Sequence, residues 1–191
     1  MRETELEPPP TDADLVRDRF ADVFERHYEH IYAYAARRLG PDLGEDVAAE
    51  TFLVAYDRRD TFDPRRAEAR PWLYGIAANL IMRHSRAEAR RYRALARGAD
   101  PGEGPDETDA IAGRVDARLA RARLAAALRR LAPADREVLL LVAWAGLNQQ
   151  EAAAALGIPP GTARSRLHRA RQEMRKALGT EGPGPNEEEA P

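Results

Sequence analysis

The chain has 191 residues, of which 43% are hydrophobic, 32% are charged and only 6% are aromatic. A composition rich in Ala and Arg and poor in aromatic residues favours an all-α protein over a β-sandwich. The absence of cysteine excludes a disulfide framework, a thiolate metal site and a cysteine nucleophile. The longest strongly apolar run, Val138 to Ala143, is too short to cross a bilayer. We therefore expect a cytoplasmic protein with no membrane contact of its own.

The formal net charge of −2 hides two strongly basic segments. Arg83 to Arg97 holds six arginines against one acid, and Gly161 to Leu178 holds five arginines and one lysine against one acid. Gly98 to Gly113 and Gly179 to Pro191 carry five and four acids, respectively, and no base. A single basic stretch is more often a solvated helix face, but two of them between acidic segments predict contact with nucleic acid.

Three amphipathic helices are predicted in the N-terminal half. The first runs from Phe20 to Gly40, the second begins at Asp42 or Gly44 and ends before Asp63, and the third begins near Pro71 and continues through the arginine cluster. The spacing of apolar residues predicts which side chains these helices bury. They are Phe20, Val23, Phe24, His27, Ile31, Tyr34 and Ala35 on the first, Val47, Phe52, Val54, Ala55 and Tyr56 on the second, and Trp72, Leu73, Ile76, Ala77, Leu80 and Ile81 on the third.

A domain boundary is predicted at residues 98–113, where Pro, Gly and acidic residues have the composition of a flexible linker. Helices resume near Arg114, and a second C-terminal helix is expected from Pro133 through Trp144. Residues 1–19 and 179–191 are expected to be flexible. The stripe predicted for the first C-terminal helix consists of Leu119, Leu124, Leu128 and Leu131.

A helix-turn-helix is predicted after Gly146. Asn148 is a good N-cap for a helix over Gln149 to Leu156, Gly157 can turn the chain, and Pro159 to Thr162 forms the start of the next helix. The second helix then separates a packed face from a basic outer face, as a helix that enters the major groove does. The packed face consists of Ala163, Leu167, Ala170, Met174 and Leu178, and the outer face of Arg164, Ser165, Arg166, His168, Arg169, Arg171 and Arg175.

These residues resemble sigma-70 family transcription factors of the extracytoplasmic-function (ECF) group. Gly146 to Arg171 resembles the family's fourth conserved region and carries the most specific match, while Glu45 to Phe52 and Pro71 to Leu80 resemble its second region. The resemblance implies region 2 at residues 20–97 and region 4 at residues 114–178. It also implies a non-enzymatic sigma factor, which binds core RNA polymerase, recognises and melts promoter DNA and directs transcription initiation. Whether an anti-sigma factor is a further partner stays open.

The resemblance also assigns roles to individual residues, and it implies no catalytic residue, cofactor or metal. A flipped base needs a pocket with hydrogen-bonding groups, and a melted strand needs arginines along its backbone. The loop Thr61 to Arg70 would form the base pocket. The assigned residues are Asp46, Glu50 and Thr51 for polymerase binding, Asn79, Arg83, Arg86, Arg90 and Arg91 for the minus-10 element, and Arg164, Ser165, Arg166, His168, Arg169 and Arg171 for the minus-35 element.

Other functions remain as alternatives. The main one is a stand-alone helix-turn-helix repressor or activator, but such a protein has no reason to carry the N-terminal motifs. A protein-interaction module would not need a groove-reading helix, and an enzyme is the least supported class because no catalytic motif is evident. His27 and His30 are three residues apart on a helix, but without a third ligand they are better read as packed or surface histidines.

Overall fold

The computed structural model describes residues 19–62, 68–98 and 111–179. Within these ranges the chain is helical and contains no strand, which confirms the predicted all-α class. A 3-10 turn at Arg59–Thr61 follows the second helix. The described residues form eight α-helices: α1 (Phe20–Leu39), α2 (Pro41–Asp57), α3 (Ala69–Arg83), α4 (Ser85–Ala96), α5 (Ile111–Arg130), α6 (Pro133–Ala143), α7 (Gln149–Leu156) and α8 (Pro160–Leu178).

The N-terminal core forms where α1, α2 and α3 pack together, and most of the predicted apolar stripes lie inside it. Two of the expected core residues are instead largely exposed: Phe24 is 41% and Tyr56 is 49% accessible. Both belong to an aromatic group at one end of the domain, in which the ring centroids of Phe24 and Phe52 are 4.9 Å apart. The Phe24 ring covers Phe52 from outside and the Tyr56 ring packs on Phe20, with ring centroids 5.4 Å apart, so one edge of each exposed ring stays in contact with water.

The third predicted helix is broken rather than continuous, which corrects the sequence-based expectation. The break is at His84, whose backbone torsions (φ −94°, ψ 20°) leave the helical region, and whose N–H bonds to the carbonyl of Ile81. This hydrogen bond to the residue three positions earlier, as in a 3-10 helix, tightens the last turn and ends the helix. The arginine cluster therefore lies mostly on a separate helix, α4, which packs against α1 and α5.

The C-terminal helices α5 to α8 pack into a second group, in which α8 contacts all three others. Helix α5 begins at Ile111, so its first three residues fall inside the predicted linker. Leu128 and Leu131 are buried as expected, whereas Leu119 (52% accessible) and Leu124 (37%) are exposed, which corrects the predicted stripe. No helix of the described ranges is long and apolar enough to span a membrane.

The two groups of helices are packed against each other. Helix α4 lies along α5, and α3 is covered by α7, the first helix of the helix-turn-helix. A side chain at Gly75 of α3 would overlap the Ala155 carbonyl oxygen of α7, and its Cβ would lie 3.3 Å from the Ala155 Cα. Gly75 is therefore buried beneath α7, and Tyr74, which packs on Tyr34 of α1, and Ala78 are also buried in addition to the predicted stripe.

A buried group of charged and aromatic side chains also joins the two halves. The guanidinium of Arg38 donates to both oxygens of Glu137, at 2.6 and 2.8 Å, and its Nε donates to Glu88 at 2.6 Å. Arg136 donates to the second Glu88 oxygen at 3.2 Å. We call this group the interdomain ion cluster; it consists of Tyr34, Arg38, Glu88, Tyr92, Arg136 and Glu137.

Candidate DNA and polymerase interfaces

The helix-turn-helix forms as the sequence predicts. The Asn148 Oδ1 accepts hydrogen bonds from the backbone N–H groups of Gln150 and Glu151, both at 2.9 Å, and the Asn148 N–H donates to the Glu151 carboxylate at 2.7 Å. This reciprocal capping box fixes the start of α7. Gly157 then turns the chain with φ +62°, a conformation that glycine adopts without steric cost. These two local signals set the angle at which α8 leaves the turn.

Helix α8 separates its packed and outer faces largely as predicted. Ala163 and Leu167 are buried against α6 and α7 and Ala170 is buried in the main core, while the end of the stripe, Leu178, is 37% accessible. The outer face is open to solvent over more than two helical turns. Its exposed members are Arg164, Ser165, His168, Arg169 and Arg171, whereas Arg166 and Arg175 are half-buried at the edges. The exposed basic face is what contact with a DNA groove requires.

Two arginines of the outer face differ in their contacts. Arg169 forms a two-pronged ion pair with Asp135 at the start of α6, through its Nε at 3.0 Å and its Nη2 at 2.9 Å. Its hydrogen bond and charge attraction to Asp135 raise the pKa of Arg169 above its usual range. Arg164 is exposed five residues earlier, close to the N-terminal end of the helix. Arg169 thus also holds α8 on α6, a second role that the sequence did not reveal.

The second basic surface lies on α3 and α4. Asn79 is exposed on α3, as the helical periodicity predicts, and Arg86 and Arg90 are exposed on α4. Arg83 is 69% accessible at its side chain and donates to Glu50 of α2 at 3.1 Å. Arg91 is half-buried, and its Nε lies 3.5 Å from the Arg37 carbonyl oxygen. The expected base pocket, Thr61 to Arg70, includes residues 63–67, which lie outside the described residues.

The outer face of α2 combines acids with an exposed leucine. Asp46, Glu50, Leu53 and Asp57 follow helical spacing along one side, and Leu53 is 67% accessible. Thr51 does not belong to this face: it is fully buried, and its hydroxyl donates to the Val47 carbonyl at 2.7 Å. In this structure Thr51 is therefore not available for a polymerase contact, whereas Asp46 and Glu50 are accessible on the outer face. Leu53 was missed, although its position between Glu50 and Asp57 places it on the acidic side.

The histidines do not build a metal site in the described part of the chain. His27 is 8% accessible in the N-terminal core, and no group of three or more His, Asp or Glu residues among the described ones is arranged to hold a metal ion.

Comparison with known proteins assigns both halves of the chain. Residues 23–91 match the family model for sigma-70 region 2, and residues 121–174 match that for sigma-70 region 4. The sigma factor CarQ of Myxococcus xanthus is 33% identical over 171 residues, which cover 87% of this chain and 92% of CarQ. The sigma factor CnrH of Cupriavidus metallidurans is 33% identical over 187 residues, covering 88% and 96%. The chain belongs to the sigma-70 family.

Within that family it belongs to the ECF group, to which the relative SigW of Bacillus subtilis also belongs, at 31% identity over 173 residues. The solved structure of CnrH in complex with the cytosolic domain of CnrY covers 90% of this chain and 97% of CnrH, with a TM-score of 0.60 and 27% identity. The sigma factor RpoE of Bartonella quintana, solved with the anti-sigma factor NepR, has the same fold, with a TM-score of 0.58 over 85% of this chain and 98% of RpoE at 24% identity.

The chain is therefore a sigma factor that directs transcription initiation by RNA polymerase at promoter DNA. The alternative of a stand-alone repressor or activator is not favoured, because region 2 accompanies the helix-turn-helix. Sigma factors are initiation factors rather than catalysts.

Proposed function

We propose that the two exposed basic surfaces divide promoter recognition between them. Helix α8 reads the minus-35 element in duplex form, with Arg164, Ser165, His168, Arg169 and Arg171 facing the major groove and Arg166 at its edge. The observation that supports this most directly is that the outer face of α8 is solvent-exposed while its opposite face holds the domain together. In our proposal the chain works in the cytoplasm, where polymerase and chromosome are found, and has no enzymatic activity of its own.

The N-terminal domain, which we place at residues 20–97, opens and holds the minus-10 element in this proposal. Asn79 is exposed on a helix that is otherwise buried nearly all round, so its amide is available to a base without a part in the core. The exposed arginines 83, 86 and 90, with Arg91 beside them, provide positive charge for the backbone of a melted strand. Residues 98–113 would join this domain to the C-terminal one at 114–178.

Polymerase binding is proposed for the outer face of α2. Asp46 and Glu50 supply negative charge there, and the exposed Leu53 adds an apolar contact between acids. A patch of this kind is suited to a basic, partly apolar partner surface, because charge steers the encounter and the apolar group adds burial. CnrH has been solved with the cytosolic domain of CnrY, and by analogy an anti-sigma protein would be a further partner of this chain.

Run-off transcription tests the proposal as a whole. Core RNA polymerase is mixed with this protein and a library of genomic fragments, and the transcripts are compared with those from core alone. We expect a limited set of new start sites that share two elements. Core binding is confirmed separately by co-purification, so transcripts no different from those of core alone would contradict the proposal.

Asn79→Ala tests the minus-10 assignment separately. The variant should fold and bind polymerase normally, because the side chain is exposed and makes no core contact. It should change the preferred base at one minus-10 position by about 1–3 kcal/mol, the usual cost of losing one specific base contact. Permanganate footprinting on promoters varied at each minus-10 position measures this. Identical base preference in both proteins would remove Asn79 from the interface.

A further inference from the structure

One acidic side chain of α6 contacts the outer face of α8. Asp135 lies in the first turn of α6, and its two carboxylate oxygens accept hydrogen bonds from the Nε and Nη2 of Arg169, at 3.0 and 2.9 Å. The Asp135 side chain is 13% accessible, whereas that of Arg169 is still 55% accessible. Asp135 is therefore largely hidden from a partner, while the arginine that it holds remains open to one.

The ordinary roles of an acid at this position do not account for the pair. An acid in the first turn of a helix often caps backbone N–H groups or interacts with the helix dipole. The start of α6 has no side-chain cap, and both oxygens of Asp135 bond instead to Arg169, 34 residues later in the chain. An ion pair with so exposed a partner contributes little to stability. The pair therefore has room for a second role.

The pairing determines which N–H groups of Arg169 are left for a partner. A guanidinium is planar and carries its five N–H donors in a fixed arrangement. Asp135 takes the Nε–H and one Nη2–H, which together form one edge of that plane. The neighbouring edge, with one N–H from Nη1 and the other from Nη2, presents two parallel donors. Two such donors match the O6 and N7 acceptors that guanine presents in the major groove.

Arg169 also lies where a groove-facing residue is expected on α8. It comes two residues after the buried Leu167, so the two positions are about 160° apart around the helix axis. It comes four residues after the exposed Ser165, so these two positions are only about 40° apart. Arg169 and Ser165 therefore share the side of α8 that is opposite the packed face.

Arg164 shows what Asp135 changes. Arg164 is exposed on the same helix, and within the described ranges it has no ion-pair partner. Ordering a long, freely rotating side chain at an interface reduces affinity by about three- to tenfold, and such a side chain can also turn to a phosphate, which carries no sequence information. For Arg169 the ordering precedes the arrival of DNA. The negative charge of Asp135 also weakens the attraction of Arg169 to phosphate.

We propose that Asp135 is a positioning residue for minus-35 recognition, which holds the Nη1–Nη2 edge of Arg169 toward the major groove and thereby selects guanine at one position. Asp135 itself does not touch DNA and acts through Arg169. This inference rests on the proposed function for the assignment of α8 to the minus-35 element. It adds the base that Arg169 reads and the residue that makes Arg169 selective.

Asp135→Asn tests the proposal in the complex with core polymerase. The variant keeps the shape of the side chain but removes its charge and one of its two acceptor oxygens, so the guanidinium is no longer held at both donors. It should fold, because Arg169 is exposed and its charge stays hydrated. Glu173→Gln is the matched control. It also removes one negative charge, one turn after Arg169 on the same helix, but Glu173 pairs with Lys176 at 3.5 Å.

The measurement is the dissociation constant of each reconstituted polymerase complex for promoter fragments that carry each of the four bases at each minus-35 position. We expect the wild type and Glu173→Gln to prefer guanine at one position by about ten- to a hundredfold. Arg169→Ala should abolish that preference. Asp135→Asn should reduce it by about three- to tenfold and leave the other positions unchanged. Added to Arg169→Ala, Asp135→Asn should have no further effect on base preference, because it acts only through that arginine.

Four results would overturn the proposal. They are a guanine preference that Asp135→Asn leaves intact, an equal loss of preference at every position, as a purely structural role would give, the same loss in Glu173→Gln, and a base other than guanine at the position that Arg169→Ala affects. A preference lost in Arg169→Ala but kept in Asp135→Asn contradicts the role of Asp135 alone. If Arg164→Ala and Arg169→Ala both keep every minus-35 preference, the proposed function of α8 is itself contradicted.

Discussion

Arginine makes up 29 of the 30 basic residues of this chain, and its role differs sharply between α1 and α8. In α1, Arg38 is 1% accessible and is fully engaged by Tyr34, Glu88 and Glu137. In α8, Arg164 and Arg171 are exposed at positions that the same helical periodicity assigns to the outer face. The comparison teaches that helical periodicity alone does not tell which arginines stay accessible to a partner, because residues distant in the chain can cover them.

The largest effect is expected from Arg38→Ala. It leaves Glu137 and one oxygen of Glu88 without their main partner inside the protein, and removing one member of a buried ion pair typically costs about 3–5 kcal/mol. We expect the free energy of unfolding in urea to fall by that order. The neighbouring exposed Arg37→Ala should change it by less than about 0.5 kcal/mol. Equal stability of the two variants would mean that the cluster is hydrated in solution.

An intermediate effect, on promoter selectivity rather than on stability alone, is expected from substitutions on α8. Arg164→Ala should leave stability unchanged but relax selectivity at one minus-35 position by about 1–3 kcal/mol, if Arg164 reads a base. Arg169→Ala should in addition lower the melting temperature, because Asp135 loses its two-pronged partner. Transcription from promoters varied in the minus-35 element measures the effect on selectivity, and thermal unfolding measures the effect on stability. If Arg164→Ala transcribes every promoter variant as the wild type does, α8 does not read DNA through this residue.

The difference between Arg38 and the exposed arginines of α8 also shows which features the sequence alone could predict. The helix-turn-helix was predicted to the residue at α7, because its signals are local: the Asn148 cap, the Gly157 turn and the apolar period of α8. Arg38 and Glu137 are 99 residues apart, and no local pattern connects them. The same holds for Gly75 of α3, which is buried against Ala155 of α7, a residue 80 positions later in the chain.

The same distinction, between features set by local sequence and features set by packing, applies to the candidate site residues. The exposed positions on α8 and Asn79 on α3 follow from helical periodicity alone, and the structure places them in solvent as expected. Thr51 was assigned by resemblance to a motif, and periodicity alone did not reveal that its hydroxyl bonds back to Val47 inside the core. The break at His84 could not be foreseen either, because Met82 to Arg86 contains neither Pro nor Gly.

The smallest effect on stability is expected from a substitution of Glu50. Its ion pair is exposed, so it provides a direct comparison with the buried pairs of the interdomain ion cluster. Glu50 pairs with Arg83 at 3.1 Å, but the two side chains are 45% and 69% accessible, and exposed pairs contribute only about 0.2–1 kcal/mol. Glu50→Gln should therefore hardly change thermal unfolding. If α2 is the polymerase-binding face, the same variant should associate with core polymerase several-fold more slowly at low salt, and the difference should shrink as salt screens the charge.

Stopped-flow binding to core polymerase at several salt concentrations measures this, with Glu29→Gln as the control. Glu29 is also an exposed helical acid, but it lies on α1 and outside the proposed face. Both variants remove one negative charge, so a general charge effect would slow them equally. Slower association of Glu50→Gln alone assigns the contact to α2, whereas equal rates for the two variants would contradict it and leave Glu50 with only its weak surface pair to Arg83.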